Sequence, residues 1–182
     1  MLYPGEKIIL RDGRTALLRA PEKRDAAEMI AYLTQADGET DFLRSYPEEW
    51  AGKTAESEEA FIEFQRTSPD ECTIVCEVDG RIAGDCGLSR SPLIKLRHRG
   101  EIGIAVLREY WGLGIGSALV EEQISVAREM GLSRLELEVY DANARGIALY
   151  EKLGFRTAAV LPDAARLKDG TSFAALTMIK PL

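Results

Sequence analysis

Two hydrophobic periods run through this chain. Lys7–Leu10 and Thr15–Leu18 alternate as short strands around Asp12-Gly13, which predicts a hairpin closed by a type I′ pair. After Pro21, a helical pattern covers Glu22–Gln35. Residues 36–55, with Gly38, Pro47 and Gly52, read as irregular, and Glu56–Arg66 reads as a second helix. Thr73–Val78 and Arg81–Leu88 are strand-like and joined at Asp79-Gly80. Ser91–Arg99 is a basic loop, and Glu101–Leu107 is a strand.

The most strongly amphipathic segment follows a glycine-rich turn at Trp111–Gly116. Ile115, Leu119, Val120, Ile124, Val126, Ala127 and Met130 share one half of a helical wheel, and Gly131 stops the helix. Arg134–Val139 is a strand with Leu135, Leu137 and Val139 on one face and Glu136 and Glu138 on the other. A short helix at Ala144–Leu153 ends at Gly154. Strands near Arg156–Leu161 and Phe173–Ile179 turn at Asp169-Gly170. The order ββ-α-α-βββ-α-β-α-ββ predicts a mixed α/β or α+β layer fold.

Composition narrows the function. The 182 residues form no repeat or linker, which predicts a single domain over residues 1–182. No run of about 18 apolar residues exists, so no membrane span is expected. The opening MLYPGEKIIL has no basic stretch before a long apolar core, so a cytoplasmic protein without a secretory signal is expected. The net charge of −7 disfavours non-specific nucleic-acid binding and suits a cationic substrate. Cys72, Cys76 and Cys86 read as reduced core residues. With His98 the lone histidine, neither a zinc site nor a Ser-His-Asp or Cys-His triad is expected, so no metal is assigned.

The candidate chemistry lies in Glu101–Ser117, EIGIAVLREYWGLGIGS. A strand, then Gly112, Gly114 and Gly116, then a helix start make a cradle for phosphate or pyrophosphate. No Gly-Lys-Ser/Thr follows, which removes a Walker loop. Ser117 stands where a dinucleotide fingerprint needs its third glycine.

At this point the sequence resembles the GCN5-related N-acetyltransferase (GNAT) family, whose pyrophosphate loop reads Gln/Arg-x-x-Gly-x-Gly/Ala. Here Trp111 replaces the first residue, while the glycines and the helix start remain. Leu137-Glu138-Val139, Asn143, Ala148, Leu149-Tyr150 and Gly154-Phe155 match the second half of the family pattern. The resemblance implies a central, mostly antiparallel, splayed sheet flanked by helices, with acetyl-CoA as co-substrate.

By the same resemblance, Ile104, Ala105 and Val106 contact the pantetheine and acetyl groups. Gly112, Leu113, Gly114, Ile115, Gly116 and Ser117 hold the pyrophosphate. Asn143 touches the pantetheine arm, a position where it is equally a helix N-cap. Tyr150 is the acid that protonates the leaving thiolate, or else a core aromatic. Glu138 and Glu101 are alternative bases, each equally readable as a solvated strand residue.

The implied activity is direct acetyl transfer to an amine of a small molecule or peptide. A non-catalytic acyl-CoA binding or sensing module is the alternative. A homodimer through the C-terminal strands or sheet edges is also implied. The acceptor wall is expected from residues 36–55, the Ser91–Arg99 loop and the final hairpin. Glu39, Asp41, Phe42, Tyr46, Glu48, Glu49 and Trp50 there suit a cation.

Overall fold

The computed structural model describes residues 2–182. Met1, the first residue of the expected single domain, lies outside them. The elements are β1 (Glu6–Ile9), β2 (Thr15–Arg19), α1 (Ala26–Glu39), α2 (Ala55–Thr67), β3 (Glu71–Val78), β4 (Arg81–Arg90), β5 (Arg99–Val106), α3 (Ile115–Glu129), β6 (Arg134–Tyr140), α4 (Ala144–Lys152), β7 (Arg156–Arg166) and β8 (Ser172–Pro181). This is the order expected from the hydrophobic pattern. No helix among the described residues is long and apolar enough to cross a membrane.

Two local expectations need correction. The first hairpin is not closed by a type I′ pair. Gly13 has φ +88 while Asp12 keeps a negative φ. Leu10 pairs with Arg14 across a three-residue loop, and Gly13 N–H donates to Leu10 O at 2.9 Å. That is a type I turn closed by a left-handed glycine, and Leu167–Thr171 repeats it around Gly170. Asp79-Gly80, with φ +51 and +77, is the true two-residue primed turn. The second correction is α1, which runs through Gly38 to Glu39 beyond the expected end at Gln35. Buried Ala36 continues its apolar stripe, which outweighs the helix cost of Gly38, about 1 kcal/mol.

All eight strands form one sheet in the order β1-β2-β3-β4-β5-β6-β8-β7. Every pairing is antiparallel except β5 with β6. That parallel ladder stops after Arg99↔Arg134, Gly100↔Leu135 and Glu101↔Glu136, and beyond it the strands part. Helices α1 and α2 cover one face of β3–β5, and α3 covers the other. Leu119, Val120 and Ala127 of α3 are fully buried, so the predicted amphipathic face is the packed one. The three cysteines are buried and free, and burial pushes the Cys72 and Cys76 thiols up to about 11 and about 12.

Gln123 fixes α3 against the sheet. Fully buried, it donates from Nε2 to Cys72 O at 3.0 Å and Cys86 O at 2.6 Å, tying the helix to β3 and β4 at once. Gln123→Leu keeps the bulk and removes both donors. Urea unfolding should show a loss of about 1–3 kcal/mol; an unchanged midpoint would mean that packing alone seats the helix.

Candidate active site

A cavity of ≈ 1050 Å³ opens where β5 and β6 part. Leu107 N–H donates to Ala83 O, and hydrogen-bonded residues alternate along an antiparallel ladder. The main-chain groups of Ile104 and Val106 therefore point into the fork beyond the last paired residues, where β6 no longer answers them. Of these, Val106 O accepts from Trp111 Nε1 at 2.6 Å. The remainder form an unpaired strand edge inside the cleft.

The glycine loop crosses one end. Gly112 and Gly114 have φ +82 and +100, a backbone that side chains rarely adopt, and Gly114 directly precedes α3. Gly112, Gly114, Ile115, Gly116 and Ser117 line the cavity, as do Ile104, Ala105, Val106 and Asn143. Leu113 is the exception. It packs against the core, and its carbonyl accepts from Arg11 N–H at 3.1 Å, so it anchors the first hairpin instead of lining the cleft.

Trp111 stands where the family pattern has Gln or Arg. With its Nε1 engaged by Val106, its ring carries two guanidinium groups, Arg108 at 5.4 Å and Arg145 at 4.7 Å. Arg145 and Arg11 line the cavity at this end. Neither was singled out in the sequence, because Arg11 and Arg145 lie far in the chain from the glycine loop. Asn143 Oδ1 accepts from Gly146 N–H at 2.9 Å, so the N-cap role is realised while the residue also lines the cleft.

Tyr150 on α4 is 7% exposed and lines the cavity. Its ring meets Phe155 at 5.9 Å, and its hydroxyl has no hydrogen-bond partner among the described residues. Burial first, then the Cys86 thiol, raises its pKa and keeps it a protonated donor. Glu101 and Glu138 come together across the mouth of the fork. Arg44, from the segment between α1 and α2, donates from Nη2 to both, at 3.3 and 3.2 Å. Glu136 points elsewhere and pairs with Arg99 and Arg134.

The acceptor wall is only partly as expected. Asp37, Thr40, Phe42, Leu43, Arg44, Ser45 and Trp50 line the cavity, whereas no residue of the 91–99 loop does. Arg97 of that loop pairs instead with Asp70. The final hairpin braces the wall from behind. Phe173 packs on Phe42 at 5.8 Å, and Lys168 sits 4.0 Å from the Tyr46 ring centre and pairs with Glu48.

Asp85 on β4 also lines the cavity, and the sequence reading missed it. Its Oδ1 lies 2.8 Å from Tyr32 Oη, which lies 2.8 Å from Ala105 O as well. One phenolic proton cannot serve two acceptors, so the chain is complete only when Asp85 is protonated and donates to Tyr32. Burial raises its carboxyl to about 6, opposed by the Tyr32 hydrogen bond and reinforced by the charge of Glu58.

Residues 36–155 match the Acetyltransferase (GNAT) family. The chain belongs to that family. An N-alpha-acetyltransferase of Sulfurisphaera tokodaii is 37% identical over 98 residues, covering 48% of this chain and 58% of that protein. The chain thus spans about half the length of the curated relatives it matches. An acetyltransferase of the GNAT family from Streptococcus pneumoniae superposes with a TM-score of 0.87 at 32% identity, covering 92% of this chain and 99% of that one. A Salmonella typhimurium structure solved with its cofactor acetyl-CoA shares the fold, with a TM-score of 0.78, 22% identity and coverage of 91% and 92%. This GNAT chain therefore has the expected fold, a mostly antiparallel sheet splayed at β5 and β6 and flanked by helices.

Asp85 makes the stability of this GNAT chain pH-dependent in a defined sense. An unfolded Asp titrates near ~3.9. The folded chain holds the proton up to about 6, so this contribution is fully present below the unfolded value and lost as pH rises through the folded one. Asp85→Asn keeps a donor for Tyr32 without the charge. Thermal unfolding at neutral pH should show the variant more stable by about 2–3 kcal/mol, shrinking towards zero below pH ~4. Equal stability at both pH values would place the charge in free solvent.

Proposed function

We propose that this chain is an acetyl-CoA-dependent N-acetyltransferase that passes the acetyl group directly to an amine of a small molecule or peptide. The observation that carries this reading is the fork. It joins an unpaired strand edge, a glycine-lined helix N-terminus and an unpartnered tyrosine hydroxyl in one cavity. Bound acetyl-CoA supplies an activated acetyl thioester, whose carbon forms a bond to the amine nitrogen as the bond to sulfur breaks.

The chain's own groups divide the remaining work. Main-chain groups of Ile104 and Val106 hold the pantetheine arm as an added strand would be held. Gly112, Gly114, Ile115, Gly116 and Ser117 offer free N–H groups and the helix dipole to the pyrophosphate, and Arg11 and Arg145 add full charges. The Tyr150 hydroxyl donates towards the departing sulfur. Glu138 or Glu101 accepts the proton that an ammonium must lose, directly or through water. Arg44 already occupies these two carboxylates, so an arriving ammonium competes with a guanidinium for the same oxygens. No cysteine has an activating base, and all three thiols are raised by burial, which disfavours an acyl-enzyme.

The homodimer belongs to the same reading. β7 is an edge strand exposed along nearly its whole length, with Val160 and Leu161 each 58% exposed.

Two measurements test the assignment. Ser117→Glu puts a negative charge in the first turn of α3, which suits the helix but repels phosphate. Calorimetry should show acetyl-CoA affinity falling by at least about tenfold in a protein that melts no earlier, as expected from losing ~1.4 kcal/mol; undiminished affinity would remove the cradle. Tyr150→Phe should lower kcat by about 10²–10⁴-fold and leave acetyl-CoA binding in place. Glu138→Gln or Glu101→Gln should lose rate at neutral pH and regain it as pH rises and free amine accumulates. Full kcat in Tyr150→Phe with chemistry rate-limiting would make the tyrosine a packing residue.

A further inference from the structure

The face of the sheet beneath α1 and α2 has a gap in its side chains. Register places Thr73, Gly87 and Gly103 in one row across β3, β4 and β5. The next row towards α1 is Val75, Asp85 and Ala105. The row on the other side is Glu71, Ser89 and Glu101. A Cβ on Gly103 would meet nothing within 4 Å, and one on Gly87 would meet only Thr73 Oγ1 at 3.9 Å. Neither glycine has a positive φ, so no turn requires it. The floor between Asp85 and the Glu101–Glu138 pair is bare main chain.

The polar groups around this gap are unevenly served. Asp85 Oδ1 is engaged by Tyr32, but Oδ2 has no hydrogen-bond partner among the described residues. Glu58 of α2 is 5% exposed, and its charge acts on Asp85. Lys53 offsets Glu58, but no cation acts on Asp85. Thr73 Oγ1, in a residue 8% exposed, is buried without a partner. The Asp85 carboxylate lines the cavity without a cation, while the Thr73 hydroxyl lies closed off beneath the floor. One ammonium group over the two glycines reaches Asp85 Oδ2 with a hydrogen bond of about 2.9 Å.

We propose that the acceptor carries a second ammonium group, seated over Gly87 and Gly103 against the Asp85 carboxylate, so that the substrate class is a small diamine or polyamine. This rests on the acetyltransferase reading above. The first nitrogen lies at the Glu101–Glu138 mouth. Asp85 and Glu101 occupy rows four residues apart, so the two cationic positions are roughly 7–13 Å apart at ~3.3 Å per strand residue. Phe42, Leu33 and Leu43 line the cavity and cover the methylene chain between them. The missing side chains at Gly87 and Gly103 make the room, and the buried carboxylate selects the charge.

The test is a panel of putrescine, cadaverine, spermidine, butylamine and a short peptide, assayed for acetyl transfer and titrated by calorimetry with coenzyme A present. Diamines should exceed butylamine in kcat/KM by about tenfold or more, the size of one charge-assisted contact. Asp85→Asn should collapse that ratio through KM while the protein stays folded. Gly87→Ala, which the backbone accommodates, should block diamine binding. Preference for butylamine or the peptide, or a ratio unmoved by Asp85→Asn and Gly87→Ala, overturns the subsite and leaves the acetyltransferase reading intact. Diamine binding that depends on Asp85 without acetyl transfer supports the subsite and overturns catalysis.

Discussion

The parting of β5 and β6 is the constraint on which the rest of the molecule depends. Their parallel ladder holds for three residue pairs and then opens. A strand edge without a partner forgoes the ladder that its neighbour would have supplied. The fold tolerates the opening because both strands are secured on their outer sides. β5 is paired with β4 from Gly100 to Val106, and β6 with β8 along its whole length. Trp111 adds a local tie by taking the last open carbonyl of β5 and setting the start of the glycine loop.

Charge is sorted along the cleft. Arg11, Arg145 and the N-terminus of α3 make one end positive. Asp37, Glu71, Asp85, Glu101 and Glu138 make the other end acidic, with Arg44 as the cation set among them. The cleft therefore holds a field that already distinguishes an anion from a cation. Burial sharpens this field, since the low-dielectric wall around Asp85 strengthens any charge pairing made there. It also raises the cost of leaving that carboxylate alone.

Much of this was legible in the sequence, and the omissions share a cause. Strand alternation in Leu135–Val139, the α3 wheel and the glycine turn depend on neighbours in the chain, so pattern alone located them. The same holds for the strand and loop residues that line the cleft. Leu113 was misjudged because a loop motif does not reveal which of its side chains turns towards the core. Arg44 and Asp85 were missed because their meaning comes from register and long-range approach. Asp85 is an ordinary polar strand residue until β4 pairs with β5 and Tyr32 arrives from α1. Gly87 and Gly103 read as weak strand positions, and only their alignment in adjacent strands makes a floor. The hairpin at Asp12-Gly13 shows a related limit, since the same dipeptide serves two turn geometries and loop length decides between them.

The half-empty ladder of β5 couples folding to occupancy. A ligand that lies along Ile104 and Val106 completes a sheet the polypeptide leaves unfinished, and the unfolded chain offers no such edge. Any strand-like guest therefore adds to the free energy of the native state by mass action, about 2.7 kcal/mol when it stands at a hundred times its dissociation constant. Resistance of this protein to unfolding, and its lifetime against proteolysis, would then follow the concentration of its own co-substrate, making the fold a gauge of its supply.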